Sequence, residues 1–440
     1  MTTEDQIDYL SAPIDETSAQ RLAESGLRFD LVDKADRAQF AAWSQAVSRG
    51  FLEAADTDEK LDQRRGYFGA RRMSGVWDDS GADPATPVGT IDVWPAALTV
   101  PGARDVPAWA ISAVSVAASH RRRGIARALL ESELRTARSL GFPVAMLTVS
   151  ESTIYGRYGF APSALARDLT IDTARASWIG PSATGRVHFV TREQLQVDGY
   201  ALVERMRLAT PGQIDYGGVL WDRQLGLMAG DEKAASLRFA RYDDADGVHQ
   251  GFAIFRLEEN EQNFSNHELQ VLYLVTATDD AYAGLWRFLL EYDLVSTITA
   301  HLRAVDEPLR LMVADYRAIR TSDYDHLWTR ILDVPAALAA RRFSAEGRLV
   351  IEVTDPLGFA EGTWAIDADA TGTARVTSVS GQASDAPIPD AVMSANELAA
   401  LYLGGVAAAT LRRAGRLTGD AEKVDSFFRS ADAPWLSIWF

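Results

Sequence analysis

The run Arg121-Arg122-Arg123-Gly124-Ile125-Ala126 sits between an apolar, β-branched stretch and an amphipathic one. A strand that feeds a helix here leaves fresh N–H groups and the positive end of the helix dipole facing outward, which makes an anion site. Gly124 lets the backbone approach a ligand closely, and arginine adds charge-assisted bonds, so a pyrophosphate suits the segment. The competing reading is a solvated patch at a helix entrance. No Gly-Lys-Ser/Thr follows and the GxGxxG glycines are missing, so it is neither a Walker loop nor a dinucleotide fingerprint. A second candidate is Tyr155 in Ile154-Tyr155-Gly156-Arg157-Tyr158-Gly159-Phe160. A phenol with an ordinary pKa near 10 is protonated at neutral pH and can donate its proton, although tyrosines in such turns often only pack. Tyr158 reads as packing. The last residues, Trp435–Phe440, are apolar, whereas chain ends normally fray in water, so this end is expected to be tucked into the protein.

These groups need elements to hold them. Ala38–Glu53 has apolar Phe40, Trp43, Val47 and Phe51 at helical spacing; Trp43, Phe51 and Glu53 are candidates for the opposite wall of a site, while the simpler reading makes Trp43 and Phe51 core. Trp109–Val116 reads as a strand, Ile125–Leu140 as a helix ending at Gly141 and Pro143, and Pro143–Val149 as the next strand. Setting each residue beside the one 160 positions later pairs Gly124 with Gly284, Arg127 with Arg287 and Leu129-Leu130-Glu131 with Leu289-Leu290-Glu291. That is the signature of a duplication. In the second copy Asp279 and Asp280 replace the polar and basic approach. The remaining stretch carries short strands at Leu349–Val353, Thr363–Ile366 and Ala374–Val379, then helical segments at Ser394–Leu403, Val406–Arg413 and beyond Asp420. The 440 residues therefore divide into three units, 1–169, 170–303 and 304–440.

Composition removes whole classes of chemistry. With no cysteine there is no disulfide, thiolate metal site or cysteine nucleophile, and the six histidines show no metal-ligand spacing. No metal is expected. The net charge of −17 opposes a nucleic-acid partner and is compatible with cationic small molecules. Apolar runs such as Leu401–Ala409 fall short of the roughly 18 residues of a membrane span. The acidic start MTTEDQIDYL resembles no targeting segment, so a cytoplasmic protein is expected.

Val114–Ala126, VSVAASHRRRGIA, resembles the acetyl-coenzyme A motif of the GNAT N-acetyltransferases. The wider set is similar to the Eis-type branch: HRRRGIARALL at His120–Leu130, SESTIYGRYGFAPSA at Ser150–Ala164, RILDVPAALAARRF at Arg330–Phe343, LYLGGVAAATL at Leu401–Leu411, and an aromatic last residue. The resemblance implies an α+β fold of tandem GNAT-like domains, the second without cofactor, followed by a domain like sterol carrier protein. It implies an acetyl-CoA-dependent N-acetyltransferase working by direct transfer in a ternary complex, without a metal. The backbone at Val114, Ser115 and Val116 would meet the pantetheine arm and stabilise an oxyanion. Arg121, Arg122, Gly124, Ile125 and Ala126 would hold the pyrophosphate, with Ser150 near the thioester end. Tyr155 would be the general acid, and the α-carboxylate of Phe440 the general base. That carboxyl, with an ordinary pKa of about 3.5, is a weak base unless burial raises it. The resemblance further implies a multi-amine small-molecule acceptor, aminoglycoside-like, and a homo-oligomer, a hexamer. Here Trp439 stands where an acid precedes the last aromatic in the family, which weakens the expected grip on polycations. A peptide-lysine acetyltransferase and a non-catalytic lipid- or ligand-binding protein are the alternatives.

Overall fold

The computed structural model describes residues 9–379 and 388–440. Residues 1–8, which open the acidic start, lie outside the described residues. Twelve strands form one sheet: β1 (Arg28–Leu31), β2 (Arg72–Trp77), β3 (Gly89–Val100), β4 (Arg104–Val116), β5 (Val144–Thr148), β6 (Ala161–Asp172), β7 (Arg186–Phe189), β8 (Arg238–Asp243), β9 (His249–Glu258), β10 (His267–Thr276), β11 (Val295–Arg303) and β12 (Ile319–Ile331). Their order is β1-β2-β3-β4-β5-β12-β6-β11-β10-β9-β8-β7. β4 runs parallel to β5 and β10 parallel to β11, each pair bridged by a helix, Ile125–Ser139 and Asp279–Leu290. The two halves thus repeat one plan.

Each half lends its last strand to the other. β12 lies antiparallel between β5 and β6, while β6 pairs with β11 of the second half. Composition places β12 in the third stretch, but its hydrogen-bonding partners put it in the central sheet, so a boundary at 304 cuts the second half short. The third unit's own sheet has β13 (Gly347–Thr354), β14 (Gly362–Ala368), β15 (Ala374–Ser378), β16 (Ala391–Ser394) and β17 (Leu417–Gly419), ordered β15-β14-β13-β16-β17. These elements, and the helices Ala395–Tyr402, Ala408–Arg413 and Ala421–Phe428, follow the expected pattern closely.

The duplication holds for the strands and slips at the helix. β3 and β9 start at Gly89 and His249, and β4 and β10 end at Val116 and Thr276, both 160 apart. The following helices start at Ile125 and Asp279, six residues short of that offset. Gly284 therefore does not correspond to Gly124. It lies inside its helix, where a Cβ would come 2.4 Å from the Tyr242 ring. The glycine serves close packing, and Thr278 is the true counterpart of Gly124 as the helix-capping residue.

One apolar core joins Leu98 and Val144 to Trp221 and Phe252 of the second half and Leu401 and Phe428 of the third unit, and takes in Leu436 and Ile438 of the tail. Buried Arg341 ties the third unit together, donating to the carbonyls of Leu401, Tyr402 and Phe428. Burial lowers its pKa to about 10, so it stays charged at neutral pH. Arg341→Leu keeps the apolar volume and orphans these carbonyls. A loss of roughly 3 kcal/mol is expected, since each unsatisfied buried group costs about 1–3 kcal/mol. A shift of the urea midpoint to lower concentration measures it.

Candidate active site

β4 and β5 pair only from Ala108↔Val144 to Ile111↔Leu147. Beyond that point the strands separate, and β4 has no partner on its β5 side. A bulge reinforces the divergence: β4 keeps Ser112 opposite Asp92 and Ser115 opposite Thr90, with Ala113 at a φ of 52°. Thr90 secures the bulge, its hydroxyl 2.8 Å from both the Ala113 carbonyl and the Ser115 hydroxyl. Backbone groups of β4 past Ile111 are thereby left for a ligand.

The turn after β4 is shaped for an anion. Arg122 and Gly124 both have positive φ, 62° and 78°, and the helix Ile125–Ser139 starts without a side-chain cap. Alternating left-handed residues turn successive N–H groups toward one concavity. Arg121 and Arg122 are exposed and make no hydrogen bond or ion pair among the described residues. Arg123 differs. With His120 it is tied to Asp78 (3.3 and 3.0 Å), and it also donates to the Ser25 carbonyl, so it braces the loop. Hydrogen bonds from the Ser80 hydroxyl, then from His120, hold the Asp78 carboxyl far below the usual range.

A cavity of about 910 Å³ joins the divergence to this turn. It is lined by Val114, Ser115, Val116, Arg121, Arg122, Gly124, Ile125, Ala126, Ser150 and Tyr155, which include every predicted cofactor residue. A long ligand with an anionic middle and a slender arm suits that lining. The second half offers no such turn. Thr278 caps its helix by accepting from the Ala281 N–H, and the Asp280 carboxylate is filled by the Thr184 N–H (3.0 Å), the Thr184 hydroxyl and the Tyr242 hydroxyl.

The comparisons agree with this geometry. Residues 32–163 and 212–331 each match an acetyltransferase (GNAT) domain, and 334–437 match a sterol carrier protein domain. The N-acetyltransferase Eis of Mycobacterium tuberculosis is 33% identical over 355 residues, covering 77% of this chain and 81% of its own. An uncharacterised N-acetyltransferase of Streptomyces avermitilis is 32% identical over 416 residues, 92% of this chain and 97% of its own. Among solved structures, Eis1 of Mycobacterium abscessus aligns with a TM-score of 0.77 at 27% identity, over 94% of this chain and all of that one. The chain belongs to the Eis family of N-acetyltransferases. Its fold is the family's, tandem GNAT domains and a sterol-carrier-like domain, and GNAT domains use acetyl-CoA.

In this Eis-family chain Tyr155 is buried at the end of the short helix Ser152–Tyr155. Burial, and then the nearby Glu151, push its phenol up to about 12, so it keeps its proton throughout the neutral range. The third unit steadies the turn behind it, since Asn396 donates to the carbonyls of Gly156 and Phe160 (2.9 and 2.6 Å). Gly159, at a φ of 83°, lies where a Cβ would strike the Arg330 guanidinium, itself paired with Asp355 at 2.5 Å. Tyr158 is buried and also lines the cavity. Phe51 is 45% exposed at the cavity edge, in keeping with the wall reading and against the core one, because the helix Arg37–Gly50 ends just before it. Trp43 is buried as read.

Phe440 is not among the cavity-lining residues, yet the tail brings it next door. Its terminal oxygen accepts from the Thr148 hydroxyl at 2.8 Å, at the end of β5 and two residues before Ser150. Its ring meets Trp94 edge to face. The tail is pinned along its length. Trp435 N–H donates to Pro211, and the Ser437 hydroxyl to Gln213. His326, buried in β12, donates from Nε2 to the Ile438 carbonyl at 2.8 Å. Burial pushes its pKa down to about 4, so it stays neutral at physiological pH. Sequence reasoning missed Thr148, His326 and Asn396, whose partners lie in distant stretches.

Two consequences can be measured. Calorimetric titration with acetyl-CoA is expected to give one site per chain. Replacing Arg121 and Arg122 together by alanine should weaken binding at least tenfold, since a charge-assisted hydrogen bond contributes about 1.5–3 kcal/mol. Two sites per chain would mean that the capped second turn also binds.

Proposed function

We propose that this protein transfers the acetyl group of acetyl-CoA to the amino group of a small molecule, by direct transfer in a ternary complex. The observation that carries the reading is one cavity joining the uncapped arginine turn, the unpaired edge of β4 and buried Tyr155. Acetyl-CoA, when bound, supplies an activated thioester. Arg121, Arg122, Gly124, Ile125 and Ala126 hold its pyrophosphate, Val114, Ser115 and Val116 receive its arm, and Ser150 lies toward its reactive end. The unpaired N–H groups of β4 stabilise developing negative charge on the acetyl oxygen. Such preorganised donors commonly contribute about 3 kcal/mol each. Tyr155 donates its proton to the departing sulfur. The Phe440 carboxylate, steadied by Thr148, takes the proton that the acceptor ammonium must lose before it attacks. An aminoglycoside-like acceptor and a closed hexamer rest on the family resemblance alone.

Tyr155→Phe should lower kcat at least a hundredfold while acetyl-CoA affinity stays within a few-fold, as expected for removal of a general acid. Full activity would remove that role from Tyr155. With its pKa raised to about 12, the phenol remains protonated below that value. The wild-type pH–rate profile should therefore rise as the acceptor amine deprotonates and show no alkaline fall below about pH 10.

Adding residues after Phe440 should abolish turnover, and Thr148→Val should reduce kcat about tenfold with little change in acetyl-CoA binding. Thiol release followed in single turnovers checks both. An extended chain that turns over normally would leave the tail a packing element only.

A further inference from the structure

The wall beside the tail carries a positive charge that the reaction does not use. The helix Val219–Gln224 of the second half packs against the first half through Tyr67, whose hydroxyl donates to Asp222 at 3.1 Å. Gln63, on the same first-half helix, bonds the backbone of Leu227 and Ala229. On this helix Arg223 donates from one Nη to the Trp439 carbonyl at 3.3 Å, one residue from the Phe440 carboxylate. Arg223 is open to solvent, and no acidic side chain lies within ion-pair distance of it among the described residues.

The surrounding acids are already engaged. Asp92 binds Arg71 at 2.9 Å, Glu53 faces Arg64 and Lys60 at 3.5 and 3.9 Å, and Asp222 holds Tyr67. Desolvation, then Arg71 and Arg64, lower the pKa of Arg223, whose exposed guanidinium thus stands near other cations. A guanidinium without an ion-pair partner attracts an anion, and its Nε–Nη edge matches the two oxygens of a carboxylate.

We infer that Arg223 is a specificity-determining residue for an acceptor that carries a carboxylate as well as its amine. The inference rests on the acetyltransferase reading above and moves the acceptor from a polycation to a zwitterion. The pair is complementary to such a molecule, with the Phe440 carboxylate for the ammonium and, beside the preceding carbonyl, Arg223 for the carboxylate. Consecutive residues of an extended chain stand about 3.8 Å apart. The acceptor's two charges are thus separated by only a few bonds, as in a short amino acid.

The test compares acceptors that differ only in that charge, γ-aminobutyrate against γ-aminobutyramide, with thiol release as readout on the full-length protein. The wild type should favour the carboxylate at least tenfold in kcat/KM. Arg223→Met should bring that ratio to about one, mainly through the KM of γ-aminobutyrate, and Arg223→Lys should restore part of it. A wild type indifferent to the pair would overturn the inference and leave the acetyltransferase reading intact. So would an Arg223→Met variant that lost both activities equally and kept the ratio, since Arg223 would then only brace the tail. Phosphoethanolamine preferred to ethanolamine, with no carboxylate preference, would overturn the carboxylate assignment in favour of a phosphate. No thiol release with any amine, despite acetyl-CoA binding, would overturn both readings.

Discussion

The arrangement of the site depends on which strand lies beside β5. A GNAT half whose last strand folded back on itself would put β6 there. In this chain β12, from the end of the second half, takes the place, and β6 crosses to pair with β11. The exchange buries the sheet junction inside a core shared by all three units, so the halves cannot separate without losing ladder hydrogen bonds and apolar burial together. It also sets His326 beside the end of β5, where Val149 N–H donates to its carbonyl, and His326 in turn holds the Ile438 carbonyl of the tail. The tail arrives at Thr148 because β12 does.

The contrast between the two halves is electrostatic and local. Both place a helix after a strand that runs parallel to the next one. In the first, Gly124 offers no side chain to the helix start, and two arginines stand free in solvent. In the second, Thr278 caps the start by accepting from the Ala281 N–H, and the Thr184 and Tyr242 hydroxyls close over the Asp280 carboxylate.

The units cooperate more than their separate sheets suggest. Asn396 of the third unit holds the turn behind Tyr155, and Ser163 of β6 reaches the Ala399 carbonyl. Tyr67 and Asp222 bring the first and second halves together next to the tail. The surroundings of the tail's last two residues therefore come from all three, with Trp94 from β3 against Phe440, Arg223 from the second half on the Trp439 carbonyl, and the tail from the third.

Much of this was legible from residues near one another in the chain. The helix at Ile125, the strand before it, the arginine turn and the glycine with left-handed φ follow from periodicity and from hydrogen bonds that act over a few residues. So do the third unit's strands and helices. The same reasoning misaligned the second helix, because Gly284 looks like Gly124 in a pattern while its cause is the Tyr242 ring beside it. It also left Phe51 undecided between the core and the site wall, because spacing does not reveal where a helix stops. Thr148 and Phe440 stand 292 positions apart, and no short-range pattern links them. Local stereochemistry, then, settled the elements and the arginine turn. Strand exchange and burial of the tail, which depend on contacts between remote segments, settled that the chain end lies at Thr148 and the Arg223 guanidinium at the Trp439 carbonyl.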